Sequence, residues 1–161
     1  MTVTEYNKSV DLYSDNIFRF ILKNVNDEEK AKDIVQDCFE KLWLRVDSVS
    51  FLKVKSYLFS AAYHTFIDAI RKEKSKDQYV KSFNGDTQYS DQYSDLNEIL
   101  HQLILQLPEA QRSVILLRDY EGYSYNEIAE ILNLSESQVK VYIYRGRLFL
   151  KERIGKVEVL L

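Results

Sequence analysis

Apolar residues recur every three or four positions over most of this chain, with polar residues between them, the period of amphipathic helices. The pattern predicts helices near 9–24, 28–46 and 55–74, then near 96–106, 109–120, 125–132 and 136–154. In the second of these, Ile34, Val35, Cys38, Leu42 and Val46 make the inward stripe, and Phe39 and Trp43 sit at its rim beside outward Asp33, Gln36 and Glu40. An aromatic pair flanked by carboxylates on a helix surface predicts a protein interface; the plainer alternative is that both rings tuck beneath a neighbouring helix. The third helix turns Leu58, Ala61, Ala62, Thr65 and Ala69 inward, and Tyr57, Ser60, His64 and Arg71 outward, with Tyr63 at one margin. Aromatics and an imidazole beside cations suit unpaired bases on a phosphate backbone, although a solvated helix end with scattered tyrosines fits the same residues. From Lys76 to Asp95 the periodicity gives way to Gln, Ser, Asn, Asp and Gly, which reads as a linker. Tyr79, Phe83, Tyr89 and Tyr93 are too many aromatics for a bare tether. The expectation is an all-α chain of two small helical domains, 1–74 and 96–161, joined by an extended linker over 75–95.

The last third carries the most specific local signals. Ser124 with Glu127 and Ser135 with Gln138 each form the Ser-x-x-acid/amide signature that opens a helix by reciprocal capping. Between them stands Asn133, one of the few residues other than glycine that tolerates a left-handed backbone. Ile128, Ala129 and Leu132 share one face, and Val139, Ile143, Gly146 and Leu150 supply the facing stripe. This is a helix-turn-helix, a motif that lays its second helix in the DNA major groove. At about 100° per residue, Ser137, Gln138, Val141, Tyr144 and Arg145 point outward, with Lys140 and Arg147 on the flanks and Tyr142 at the edge. Gln and Arg can reach base edges, and Lys and Ser can reach phosphates.

Charge sharpens that picture. From Ser137 onward six basic residues stand against two acids, in a chain whose formal net charge is −3. Mild overall acidity is unusual for a protein that only binds DNA, so a protein partner is expected as well. One proline and four glycines favour helices, and Cys38, the single cysteine, excludes an internal disulfide and a multi-cysteine zinc site. No signal peptide or long apolar segment is seen, so a cytoplasmic protein without direct membrane insertion is expected. His64 and His101 lie outside any metal-spaced cluster, and no nucleophile elbow or phosphate-binding glycine loop occurs. No enzyme activity, metal or cofactor is therefore expected.

Three separated segments, in order, resemble bacterial extracytoplasmic-function (ECF) sigma factors. Asp33-Ile-Val-Gln-Asp-Cys-Phe-Glu-Lys-Leu-Trp43 looks like their second conserved region, and Ser56-Tyr-Leu-Phe-Ser-Ala-Ala-Tyr-His-Thr-Phe-Ile-Asp-Ala-Ile-Arg-Lys72 like the promoter-melting helix that follows. The stretch from Leu107-Pro-Glu-Ala-Gln-Arg112 to Asn126-Glu-Ile-Ala129 is similar to their fourth region. The resemblance implies that Asp33, Gln36, Phe39, Glu40 and Trp43 grip the clamp helices of the RNA polymerase largest subunit. It implies that Phe51, Lys53, Lys55, Tyr57, Ser60, Tyr63, His64, Arg71 and Lys72 engage the non-template strand of the −10 element. It further implies that Ser135, Ser137, Gln138, Lys140, Val141, Tyr144, Arg145 and Arg147 read the −35 duplex. The flap region of the second-largest subunit and an anti-sigma factor are the other implied partners. Relatives commonly carry Arg-Asn where this chain has Tyr63-His64, so their promoter sequences do not transfer. A stand-alone helix-turn-helix regulator that never joins polymerase is the competing expectation.

Overall fold

A computed structural model describes residues 1–77 and 95–160, with side chains described over 1–74 and 96–155. The described residues are helical, without strands. The expected linker aromatics Tyr79, Phe83, Tyr89 and Tyr93 lie outside the described residues.

Helix α1 (Val3–Val25) starts well before its periodicity predicts, because a capping box rather than an apolar stripe sets its first turn. Glu5 N–H donates to Thr2 Oγ1 (3.1 Å), and Thr2 N–H donates to Glu5 Oε1 (2.8 Å). The helix ends at Asn26, in the left-handed region at φ 55°. Helix α2 (Glu28–Leu44) is capped by Asp27, whose Oδ1 accepts from Lys30 N–H at 3.2 Å. A 3-10 turn (Phe51–Lys53) leads into α3 (Val54–Asp77). These three helices pack against one another around Ile17, Phe20, Ile21, Ile34, Cys38, Leu42, Leu58 and Ala62. Of the expected α2 stripe, Val35 and Val46 are only partly buried. Burial pushes the Cys38 thiol up to about 12, so it packs as a small hydrophobe rather than reacting as a thiolate.

The second block comprises α4 (Asp95–Leu105), α5 (Glu109–Ile115), a π-helical stretch (Leu116–Tyr120), α6 (Tyr125–Leu132) and α7 (Glu136–Leu160). Gly122, at φ 75°, turns the chain from the π stretch into α6. Helices α5 and α7 cross so closely at Gly146 that a Cβ there would lie 2.9 Å from Ile115 Cγ1.

The two blocks lie packed together. Helix α3 is apolar on more sides than the sequence pattern shows: Phe59 and Phe66 are fully buried in addition to Leu58 and Ala62. Phe59 meets Phe20 of α1 edge-on (5.6 Å between centroids) and also Tyr123 of the second block (5.2 Å). Buried Arg112 of α5 reaches across to donate to Asn24 O (3.1 Å) while also donating to Leu107 O (3.1 Å). His101 Nε2 lies 3.3 Å from Asn26 Oδ1, and Arg19 pairs with Glu121 at 3.1 Å. One continuous apolar core thus runs through both blocks.

Candidate nucleic-acid interface

The outer face of α2 carries Asp33, Gln36 and Glu40 in solvent, as expected. Its aromatic pair divides. Trp43 is 48% exposed, whereas Phe39 is 8% exposed and belongs to the core. The cause is the early start of α1, which brings Tyr6 over this part of α2. Tyr6 donates its hydroxyl to Phe39 O (3.0 Å), meets the Phe39 ring edge-on at 6.5 Å and packs on Trp43 at 5.1 Å. The expectation that Phe39 is a surface contact is corrected accordingly: it is a core residue that holds Tyr6, and Tyr6 in turn packs on Trp43. Leu44, next in the chain, is 82% exposed.

The residues expected at single-stranded DNA fall into three groups. Tyr57, Ser60 and His64 come together in a groove of about 650 Å³ between α2 and α3, lined also by Lys41, Leu44, Arg45, Ala61, Thr65 and Asp68. His64 Nδ1 lies 2.7 Å from Ser60 O, so that ring nitrogen is the donor and Nε2 remains for a ligand. Lys41 Nζ donates to Thr65 Oγ1 at 3.2 Å, which holds a cation at the groove wall. The groove offers an aromatic ring, an imidazole, the hydroxyls of Ser60 and Thr65, two cations and the Asp68 carboxylate, a chemistry that fits an extruded base, with the cations of Lys41 and Arg45 available to its phosphate. Lys41 and Arg45 were not among the expected residues, because the groove forms only where α2 and α3 meet.

A second group, Phe51, Lys53 and Lys55, forms a basic edge at the start of α3. Phe51 is partly buried beneath Lys8 Nζ, 5.6 Å from its centroid. Lys53 and Lys55 turn toward the other block, where Lys53 pairs with Glu130 (3.1 Å) and Lys55 pairs with Glu127. Lys55 Nζ also sits 4.5 Å from the centroid of the Tyr123 ring. The hydrogen bond from Lys55, ahead of the Ser124 cap, holds the Glu127 carboxyl below its ordinary value. The third group stands apart from the α2–α3 groove: Tyr63 and Arg71 line a different cleft with Lys74, Pro108 and Arg112. Lys72 is exposed.

The helix-turn-helix forms as its sequence predicts. Ser124 and Glu127 exchange cap bonds of 3.1 and 3.3 Å, and Ser135 and Gln138 exchange bonds of 3.1 and 2.9 Å. Asn133 turns at φ 57°, ψ 48°. Val139, Ile143, Gly146 and Leu150 are buried, and Ser135, Ser137, Gln138, Lys140, Val141, Tyr144, Arg145 and Arg147 are all exposed. Tyr144 is 69% exposed. Three of these expected readers have a second employment. Gln138 Oε1 and Ser135 Oγ serve the cap, which leaves the amide N–H₂ of Gln138 as its donor toward DNA. Arg147 donates to both oxygens of Asp119, at 3.2 and 2.5 Å, and so braces α7 against the π stretch; that bond raises its already high pKa. Tyr125, which the sequence did not single out, lies beneath two cations, Arg118 at 4.6 Å and Lys140 at 5.8 Å. Beside α7 an apolar groove of about 700 Å³ is lined by Leu100, Ile104, Ile115, Tyr120, Leu150 and Ile154. Among the described residues no group of His, Cys, Asp and Glu could hold a metal ion, and no helix is long and apolar enough to cross a membrane.

A helical block with an open groove is followed by a helix-turn-helix, and comparison with known proteins identifies the arrangement. Residues 10–76 match the family described as Sigma-70 region 2, and residues 97–150 match Sigma-70, region 4. The chain is 30% identical to the ECF RNA polymerase sigma factor SigM of Bacillus subtilis, with 94% of each chain covered. It is 32% identical to the ECF RNA polymerase sigma factor SigW of the same organism, covering 90% of this chain and 86% of that one. Among solved structures, the sigma factor RpoE of Bartonella quintana, in complex with the anti-sigma factor NepR, superposes with a TM-score of 0.80 at 25% identity over 95% of this chain and 98% of that one. The chain belongs to the ECF family of RNA polymerase sigma factors, proteins that initiate transcription.

Proposed function

We propose that residues 1–74 bind core polymerase and the −10 element, that 75–95 connect, and that 96–161 read the −35 element as duplex. Trp43, with Asp33, Gln36 and Glu40 around it, is the anchor for the clamp helices of the largest subunit. The groove of Tyr57, Ser60 and His64 takes an extruded non-template base, and Lys53 and Lys55 take backbone phosphates. Ser137, Gln138, Val141, Tyr144 and Arg145 face the −35 major groove, and the apolar groove beside α7 seats the flap region of the second-largest subunit. An anti-sigma factor, of the kind bound to the sigma factor superposed above, covers these surfaces when the chain is held inactive. The chain acts in the cytoplasm and contributes binding energy rather than bond chemistry: contacts to extruded bases offset their unstacking.

The observation that carries this reading is the coexistence in one chain of an open helix-turn-helix face and a separate groove lined by Tyr57, Ser60, His64 and two cations. A stand-alone regulator needs only the first. The test is run-off transcription from genomic promoter fragments by bacterial core polymerase, with and without this chain. Discrete transcripts that require the chain are expected, and Trp43→Ala should weaken core binding by about 2 kcal/mol, about thirtyfold. Silence together with no core binding would return the case to the stand-alone regulator.

A further inference from the structure

The cleft that holds Tyr63 and Arg71 has a volume of about 890 Å³ and is built by both blocks. Tyr63, Ile70, Arg71 and Lys74 line it from one face of α3, at steps close to whole helical turns. The corner between α4 and α5 supplies Leu105, Pro108, Glu109 and Arg112. Three cations thus meet one carboxylate, in a chain whose formal net charge is −3. Arg112 is the unusual member. It is 9% exposed, and its two hydrogen bonds go to neutral main-chain carbonyls, Asn24 O and Leu107 O. Among the described residues no carboxylate pairs with it, and its Nε–H has no partner. A buried guanidinium held by neutral acceptors keeps an uncompensated charge, which an anion in the adjoining cleft would offset. Tyr63 adds a partly buried ring, and burial, then the Glu109 charge, keeps its hydroxyl protonated and able to donate.

Cations beside an aromatic ring and apolar walls suit a phosphate attached to a planar base, and the cleft has the size of a small-molecule site. We propose that it binds a free nucleoside di- or triphosphate. The phosphates meet Arg71 and Lys74 in the field of Arg112, and the base packs on Tyr63 against Ile70, Leu105 and Pro108. Bare polyphosphate satisfies the cations alone and is held less tightly. The cleft shares no lining residue with the α2–α3 groove, so the inference stands apart from the assignment of that groove to the −10 strand.

The test titrates the full-length chain with ATP, GTP, tripolyphosphate and inorganic phosphate, read by calorimetry and by thermal midpoint. Both nucleotides should bind and raise the midpoint, since a ligand of the folded chain stabilises it. Each should bind about tenfold more tightly than tripolyphosphate, the contribution of one stacked base. Arg71→Gln with Lys74→Gln should weaken every phosphate ligand by about tenfold or more. Glu109→Gln removes the opposing charge and should tighten them by about threefold. Tyr63→Leu should bring the nucleotides down to the affinity of tripolyphosphate and leave tripolyphosphate unchanged. Lys8→Gln with Lys32→Gln removes two exposed cations outside the cleft and should change nothing. Arg71 and Lys74 are exposed, so their double variant should keep the wild-type midpoint without ligand; should it fail to fold, Glu109→Gln and Tyr63→Leu decide. No binding at millimolar nucleotide, or binding indifferent to Arg71, Lys74 and Glu109, would overturn the proposal. Equal affinity for nucleotides and tripolyphosphate would reduce the cleft to an anion site and overturn the nucleoside assignment. Binding of oligo(dT) in place of nucleotides, lost in the same variants, would give the cleft to a nucleic-acid strand and overturn it as well.

Discussion

The two surfaces proposed to face DNA both combine aromatic and basic residues and stand in opposite states. On α7, the reading face is preformed and solvent-facing: its inner stripe is buried, its N-terminus is capped, and Arg145 and Tyr144 project outward. At the start of α3, the basic edge is turned inward against α6, with Lys53 and Lys55 paired to acids. The first is assembled wholly within one motif, so its geometry is settled when the motif folds. The second depends on how two blocks meet, so its availability changes with their contact. Under the proposed function these states would suit the two tasks, because a −35 duplex is present before polymerase acts and a −10 single strand is not.

The largest effect is expected at the contact between the blocks. Arg112 is buried and donates to the main chain of both blocks, at Asn24 O and Leu107 O. Arg112→Ala leaves those acceptors without the guanidinium and opens a void, which should cost roughly 3 kcal/mol, read as a lower denaturant midpoint. If the midpoint is unchanged, the packed arrangement contributes little and the contrast between the two surfaces weakens.

Much of the fold was legible in the sequence where its cause is local. The capping boxes at Ser124 and Ser135, the left-handed Asn133 and the inner stripe of α7 all depend on residues three or four apart, and each formed as expected. The same kind of signal at Thr2 and Glu5 was present but unaccompanied by an apolar stripe, so the start of α1 escaped notice, and with it the burial of Phe39 under Tyr6. Phe59 and Phe66 were missed because α3 is covered on several sides, which blurs a one-sided periodicity. The pairing of Lys53 and Lys55 with α6 was not legible at all: the lysines were expected at DNA and Glu127 in a cap, and only tertiary contact over more than seventy residues joins them. Of the expected −10 set, only Tyr57, Ser60 and His64 converge on one groove.

An intermediate effect is expected on α7 itself. Arg145→Ala should lower occupancy of the preferred −35 duplex by about 1–3 kcal/mol and flatten discrimination at one base pair. Lys140→Ala should weaken binding to every duplex alike and reduce the salt slope by about 1. These outcomes are read by titrating matched and mismatched duplexes with polymerase bearing each variant. Uniform loss with Arg145→Ala would make it a phosphate contact, and the preformed face would then position rather than read.

The smallest expected effect is a pH dependence that acts on the contact between blocks and leaves the α7 face alone. His101 of α4 faces Asn26 at the end of α1, with Lys23 and Arg112 as nearby positive groups and Glu98 opposing them. Burial first, then the Lys23 charge, holds its pKa below the ordinary 6.5. The unfolded chain therefore takes up a proton more readily than the folded chain. The resulting stability is fully present above 6.5 and is lost as pH falls through the depressed folded value. Because His101 is only half-buried, the loss should stay under about 1 kcal/mol. Glu5 and Glu127 do not contribute in this window, since hydrogen bonds hold both below 4.5 and their share is lost only in stronger acid. Thermal midpoints taken at about pH 7.5 and about pH 5.5 should fall with acid in the wild type and change less in His101→Gln. A variant that tracks the wild type would show that acid acts elsewhere, and that the α1–α4 contact is indifferent to this proton.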